Sequence, residues 1–213
     1  MLRMLAKRHH ELTGLRTQAI CRLHAVLATM IEGGLPRNLS ADRAALELRR
    51  LRPTDTVGQA RRQVAVEHLA DVRRIDRMLV ELRPRIVAAV ALSETTVTAV
   101  YGIGAVMAAY VLGYTGDIHR FASKDHYARY NATAPVSASS GPSPHHRLNL
   151  KGNRQINHAI HVAAVTQLAH DTPGRAYYDR KRAEGKSDKD AMRALKRRIS
   201  DTVYRRLVAD PRP

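Results

Sequence analysis

Between Pro135 and Asn153 the chain runs PVSASSGPSPHHRLNLKGN, with three prolines, two glycines and four serines, and helical patterns flank it on both sides. Proline fixes φ and removes a donor, and glycine admits φ > 0, so the stretch is expected to be neither helix nor strand. Long loops of compact chains concentrate function. The Ser139-Ser140-Gly141 turn and the basic re-entry favour a loop of defined shape over one without structure. Adjacent hydroxyls on such a turn can be held towards a ligand. In the re-entry, Arg147, Lys151, Asn153 and Arg154 place cations beside the first N–H groups of the next helix, an arrangement that attracts phosphate.

Charge points the same way. The 213 residues, 44% of them hydrophobic, can form one globular domain plus an extended element. With 36 Lys+Arg against 19 Asp+Glu the net charge is +17, a surplus usually matched by a polyanion, most often phosphates. The same balance would suit a ribosomal or membrane-surface protein, so it names a partner class and not an activity. The single Cys21 excludes an internal disulfide and a Cys-based zinc site, and it fits a reducing cytoplasm. His9, His10, Glu11, Arg16 and Arg22 interrupt every apolar run of the first helix, which leaves neither a signal peptide nor a membrane span there.

The rest of the chain is mainly α. Leu5, Leu12, Leu15, Ala19, Leu23, Val26 and Met30 form one amphipathic series from Leu2, ended by Gly33-Gly34 and Pro36. A short helix capped by Ser40 runs through Leu51. A second long helix is expected from Thr56 to Leu92, with a seam at Leu69, Val72, Ile75, Leu79, Leu82, Ile86 and Val90. Pro84 is expected to kink it or to end its first part. A seam this narrow must be covered, so the two long helices form either a helical hairpin or a dimerising coiled-coil arm. Residues 1–92 are assigned to this region and 93–213 to a compact C-terminal domain.

That domain opens with a short helix ending at Tyr101, then Gly102-Ile103-Gly104, then a helix from Ala105 to about Leu112. A hydrophobic-Gly-hydrophobic-Gly turn between short helices resembles a helix-hairpin-helix, whose backbone N–H groups meet a DNA phosphate without base readout. Taken alone, the turn equally describes a tight helical hairpin in a core. Asp117 caps the next turn and Ser123 a helix carrying Tyr127 and Tyr130. After Asn153 comes a helix of small residues bearing His158 and His161. With no carboxylate or Cys at matching spacing, these histidines read as core or surface groups rather than metal ligands. Two cation-rich helices, about 173–184 and 187–210, close the chain and suit a nucleic-acid-facing surface.

The order of parts, Gly102 and Gly104, Gly116-Asp117-Ile118, Arg120-Phe121, Pro135, Ser139-Ser140-Gly141 and Lys151-Gly152-Asn153-Arg154, resembles the C-terminal transposase domain of the IS110/IS116 group of insertion sequences, relatives of the Piv-type DNA invertases. The resemblance covers roughly Thr95 to Leu168 and extends more loosely over the long helices, which in that family dimerise. It implies DNA as substrate, a structured guide RNA as partner, and a serine nucleophile in the Ser-Gly turn. Ser139 is the first candidate nucleophile and Ser140 the second. It also implies Mg²⁺ in the complete assembly, held on four acidic residues of an RNase H-like N-terminal domain. No cofactor is expected on this chain alone.

The residues fit that chemistry incompletely. A serine hydroxyl needs a base or metal to take its proton, and Pro135–Asn153 contains no Asp or Glu. The four-acid domain is absent from the sequence, which starts inside a helix. The chain is therefore expected to be the C-terminal part of such a transposase, inactive alone, completed by an acidic domain from another chain. A non-catalytic DNA- or RNA-binding regulator, or a structural coiled-coil protein, is the competing reading.

Overall fold

The computed structural model describes residues 1–134, 136–137, 146–147 and 152–211, with backbone only at 136–137 and 146–147. It is mainly α, and it divides into two compact units, Lys7–Pro84 and Met1–Ala6 with Arg85–Pro213.

In the Lys7–Pro84 unit, α1 (Leu2–Ala28) and α3 (Thr56–Ala91) are the long helices, and α2 (Ala41–Arg50) lies between them in sequence. Leu12, Ala19, Leu23 and Leu27 of α1 and Ala65, Leu69, Val72, Ile75 and Leu82 of α3 are buried, spaced by threes, fours and sevens as a covered helical stripe requires. Arg16 of α1 pairs with Asp76 of α3. Ser40 caps α2, its Oγ accepting the Arg43 N–H at 3.1 Å. One expectation fails here, and one of two alternatives is excluded. Leu15 is 48% exposed and lies outside the covered stripe. The helix also does not end at Pro84, which sits within an unbroken α3. Proline removes only its own N–H and bond to the preceding turn, and the apolar positions on either side, Leu82 and Ile86, are both buried and carry the helix across.

The second unit is built around α6 (Arg154–Leu168), which packs against α4 (Ala105–Thr115), α7 (Pro173–Ala183) and α8 (Asp188–Ala209). Ala159, Ala163 and Ala164 give α6 a small-residue surface, and Ile156 and Ile160 fill the space beside it; all five are fully buried. α8 contributes Leu195, Ile199, Val203 and Leu207. The caps are local and sequence-encoded: the side-chain oxygens of Asp117, Ser123, Asn153, Thr172 and Ser187 each accept a hydrogen bond from a first-turn backbone N–H.

Two other expectations are corrected. The helix placed before Tyr101 is a single 3-10 turn, Val97–Ala99, because the chain must bend at once into Gly102. The Pro135–Asn153 stretch does contain strand. Val136–Ser137 pairs antiparallel with His146–Arg147, in the register Val136 to Arg147 and Ser137 to His146. A proline removes only its own donor, and none falls within either pair.

Candidate nucleic-acid interface

The serines lie in the sequence between α5 (Lys124–Tyr130) and α6. The end of α5 and the start of α6 are tied together. The Asn153 N–H donates to the Tyr130 carbonyl at 2.6 Å, and Asn153 Nδ2 donates to the Tyr130 hydroxyl at 3.2 Å. Asn153 Oδ1 meanwhile accepts from the N–H groups of Gln155 and Ile156, so one side chain caps α6 and binds it to α5. Gly152 permits the approach: a Cβ there would lie 2.5 Å from Ala132 Cβ and 2.7 Å from its nitrogen. Ala132 itself sits at φ 60, the left-handed turn that ends α5.

Tyr130 is held in turn by the residues before it. Its hydroxyl donates to the Tyr114 carbonyl at 2.8 Å. The Arg120 guanidinium lies 4.7 Å from the Tyr130 ring centre and 4.5 Å from that of Phe121, and its Nε donates to the Thr115 carbonyl at 3.1 Å. Phe121 packs edge-on against Tyr127 at 5.3 Å. Tyr127 is fully buried, and its hydroxyl shares a hydrogen with Thr115 Oγ1 at 3.1 Å. Burial pushes the Tyr127 phenol well above its ordinary range, so it stays neutral. Cation–aromatic contacts contribute about 0.5–2 kcal/mol each and buried hydrogen bonds about 1. Asp117 serves this platform as a cap, its Oδ1 accepting the His119 N–H at 2.8 Å.

A second polar chain fixes the outgoing strand. Fully buried Asn131 donates from Nδ2 to Ser200 Oγ at 2.7 Å and accepts from the N–H and hydroxyl of Thr133. Asn157 Nδ2 donates to the Asn131 carbonyl at 2.9 Å, and Lys196 Nζ donates to Asn157 Oδ1 at 2.7 Å. Loop exit, helix start and α8 are thus one hydrogen-bonded set.

The sequence-predicted residues divide as follows. Asn153 and Arg154 stand at the loop's return, Arg154 exposed. Arg147 is in the short strand pair, and Ser139, Ser140 and Lys151 lie outside the described residues. Gly102 is a packing glycine: at φ +86, a Cβ would come 2.8 Å from Ala163 Cα and 2.9 Å from its carbonyl oxygen. Gly104 is exposed, caps α4 at φ −78, and has nothing within 4 Å of a Cβ. The turn is fastened to α6 by Gln167 Nε2, which donates to the Tyr101 carbonyl at 2.9 Å. His158 and His161 are exposed on α6. Sequence reasoning missed Asn157, its bond to Lys196 and the Arg120 stack. Asn157 follows Asn153 by one helical turn, and that spacing was the available signal.

Among the described residues no three His, Cys, Asp or Glu side chains converge in a way that could hold a metal ion. Among them, too, no helix is long and apolar enough to cross a membrane.

Residues 94–179 match the family model described as Transposase, IS116/IS110/IS902 family. Over 105 residues, 48% of this chain and 26% of the relative, the chain is 38% identical to the uncharacterized 43.6 kDa protein of insertion element IS110 from Streptomyces coelicolor. It is 35% identical over the same span to the 42 kDa protein of insertion element IS900 from Mycobacterium paratuberculosis, and 30% identical to the 44.8 kDa protein of IS116 from Streptomyces clavuligerus. The match spans 26% of the length of each relative. The matched segment takes in the Gly102 turn, the Arg120 platform, the two candidate serines and α6, and it is over residues 94–179 that the chain is similar to the transposases of the IS116/IS110/IS902 family.

Proposed function

We propose that the chain is the serine-bearing, nucleic-acid-binding part of an insertion-sequence transposase. The observation that carries this reading is the tied base of the loop. The strand pair brings residues 137 and 146 together, and Gly152 and Asn153 are joined to Ala132 and Tyr130, so the described flanks of Ser139 and Ser140 are fastened to one another. Such tethering suits a nucleophile that must meet a phosphodiester in one orientation.

In this reading Ser139 Oγ attacks the scissile phosphorus, and the bridging 3′ oxygen leaves. The serine proton is given up to a base, the 3′ oxygen takes one, and a 3′ hydroxyl and a 5′-phosphoserine result. Rejoining is the reverse attack of a 3′ hydroxyl on that phosphorus. Ser140 is the second candidate. The described residues do not fit a Mg²⁺ site, so the carboxylates that would hold the ion, and the base that takes the serine proton, belong to an acidic domain from outside residues 1–213. Arg147, Lys151, Asn153 and Arg154, with the N–H group of Gly104, contact phosphates of DNA or of a structured RNA, and the long helices join two copies.

The test is covalent trapping. The chain is mixed with element-end DNA, element RNA, Mg²⁺ and a separately expressed acidic domain, and a DNA–protein adduct is sought. The expected result is an adduct that Ser139→Ala abolishes. Its persistence in Ser139→Ala and loss in Ser140→Ala would move the role by one residue. Tight salt-sensitive binding with no adduct would leave a non-catalytic DNA- or RNA-binding module as the better account.

A further inference from the structure

Lys196 is half-buried on α8 and its ammonium is aimed. Nζ donates to Asn157 Oδ1, and Asn157 is itself anchored to the Asn131 carbonyl, which leaves two of the three ammonium N–H donors unspent in this set. The charged neighbours that bear on it are of its own sign. Burial, then Arg154 and Arg193, hold the Lys196 ammonium below its ordinary pKa. His161 on α6 is lowered in the same manner, first by burial, then by Lys196 and His158. His158 in turn lies 6.2 Å from the Tyr110 ring of α4. Among the described residues neither Lys196 nor Arg154 has a carboxylate partner, and the Asp190 that pairs with Arg193 at 2.8 Å is half exposed. The next residue is treated differently: Arg197 is held by both Asp125 and Asp201. The fold therefore neutralises one side of α8, while Arg193 and Lys196, three apart on α8, share the side bonded to α6 at Asn157, where Arg154 and His161 stand three before and four after.

We propose that this α6–α8 cluster of Lys196, Arg154, Arg193 and His161 is a seat for one phosphodiester group of bound nucleic acid. The inference rests on the nucleic-acid-binding reading above and deepens it. It places a contact on α8, beyond the matched residues 94–179, and joins it through Asn157 and Asn131 to the exit of the serine loop. A phosphate oxygen bound by the cluster takes up the spare Lys196 donors, relieves the like-charge crowding, and favours a charged His161.

Two measurements on the full chain test it. In the first, the His161 ring is titrated by NMR in inorganic phosphate and in chloride at equal ionic strength, with His161→Gln for assignment. Phosphate should raise the wild-type His161 pKa and leave it unmoved in Lys196→Met; an unmoved wild type overturns the seat. In the second, binding of duplex DNA and of an RNA hairpin is followed against KCl. Lys196→Met and the exposed, fold-neutral Arg154→Gln should each reduce the slope of log K on log salt by about one, while Arg61→Gln leaves it unchanged. A slope unaltered by both Lys196→Met and Arg154→Gln overturns the seat while nucleic-acid binding stands. A phosphate response without binding of either nucleic acid would instead overturn the nucleic-acid reading, and with it the assignment of the anion as a phosphodiester.

Discussion

At the scale of single residues, the clearest structural device outside the loop is the last carboxylate of α8. Asp210 Oδ2 accepts from the Thr95 hydroxyl at 2.6 Å, and Oδ1 from the Thr96 N–H at 2.9 Å and hydroxyl at 2.6 Å, joining the end of the second unit to its beginning. Partial burial pushes this carboxyl up, but the three donated hydrogens outweigh it and leave the pKa below the usual carboxylate range. A folded-state pKa that is depressed gives stability that is present above the unfolded value, near 3.9, and lost as pH falls through the folded value. Asp210→Ala should therefore cost about 1–2 kcal/mol at pH 7, discounted for the group's partial exposure. The gap between wild type and variant in urea midpoint should close as the pH is taken below about 4. A gap that persists unchanged at pH 3 would mean that the ionised carboxylate is not what holds these ends together.

At the scale of elements, the Gly102-Ile103-Gly104 turn shows what spacing alone could not decide. The two glycines look equivalent in sequence, yet Gly102 lies against the α6 backbone and Gly104 faces open space. Ala163 is the reason: it is a fully buried small residue whose Cα and carbonyl fill the place where a Gly102 Cβ would go. Gly102→Ala should cost about 3 kcal/mol, combining left-handed strain with the clash, and should lower Tm steeply. Gly104→Ala, at an ordinary φ with nothing nearby, should cost less than about 1. Equal losses in the two variants, read by thermal unfolding, would overturn this division. The caps at Ser40, Asp117, Ser123 and Ser187 were legible because each is a local bond between a side chain and its own first turn. The Arg120 stack was not, since its partners Thr115 and Tyr130 are brought together only by the fold. Asn157 and Lys196 lie 39 residues apart and were invisible for the same reason.

At the scale of the molecule, the mainly helical character and the long helices were legible from 3–4 periodicity, whereas the strand pair at Val136 and Arg147 was hidden by its two-residue length and by the prolines around it. Periodicity also could not say which apolar residues stay outside the core. On α3, Val66 is 38% exposed and Val80 is 72% exposed, two heptads apart, with Val57 and Val64 exposed one heptad from each other. Scattered surface valines are ordinary, but heptad spacing keeps Val66 and Val80 on one line that a second helix can follow. If the long helices join two copies, that line is the contact, and the joined state should be visible as a doubled mass by sedimentation equilibrium. Replacing both Val66 and Val80 by Glu puts four carboxylates into the seam of a dimer and none into the core of the monomer, so the mass should halve while helix content by circular dichroism is unchanged. A wild-type chain that sediments as a monomer at high protein concentration would remove the pairing from the account; a doubly substituted chain that keeps the doubled mass would move the contact to another face.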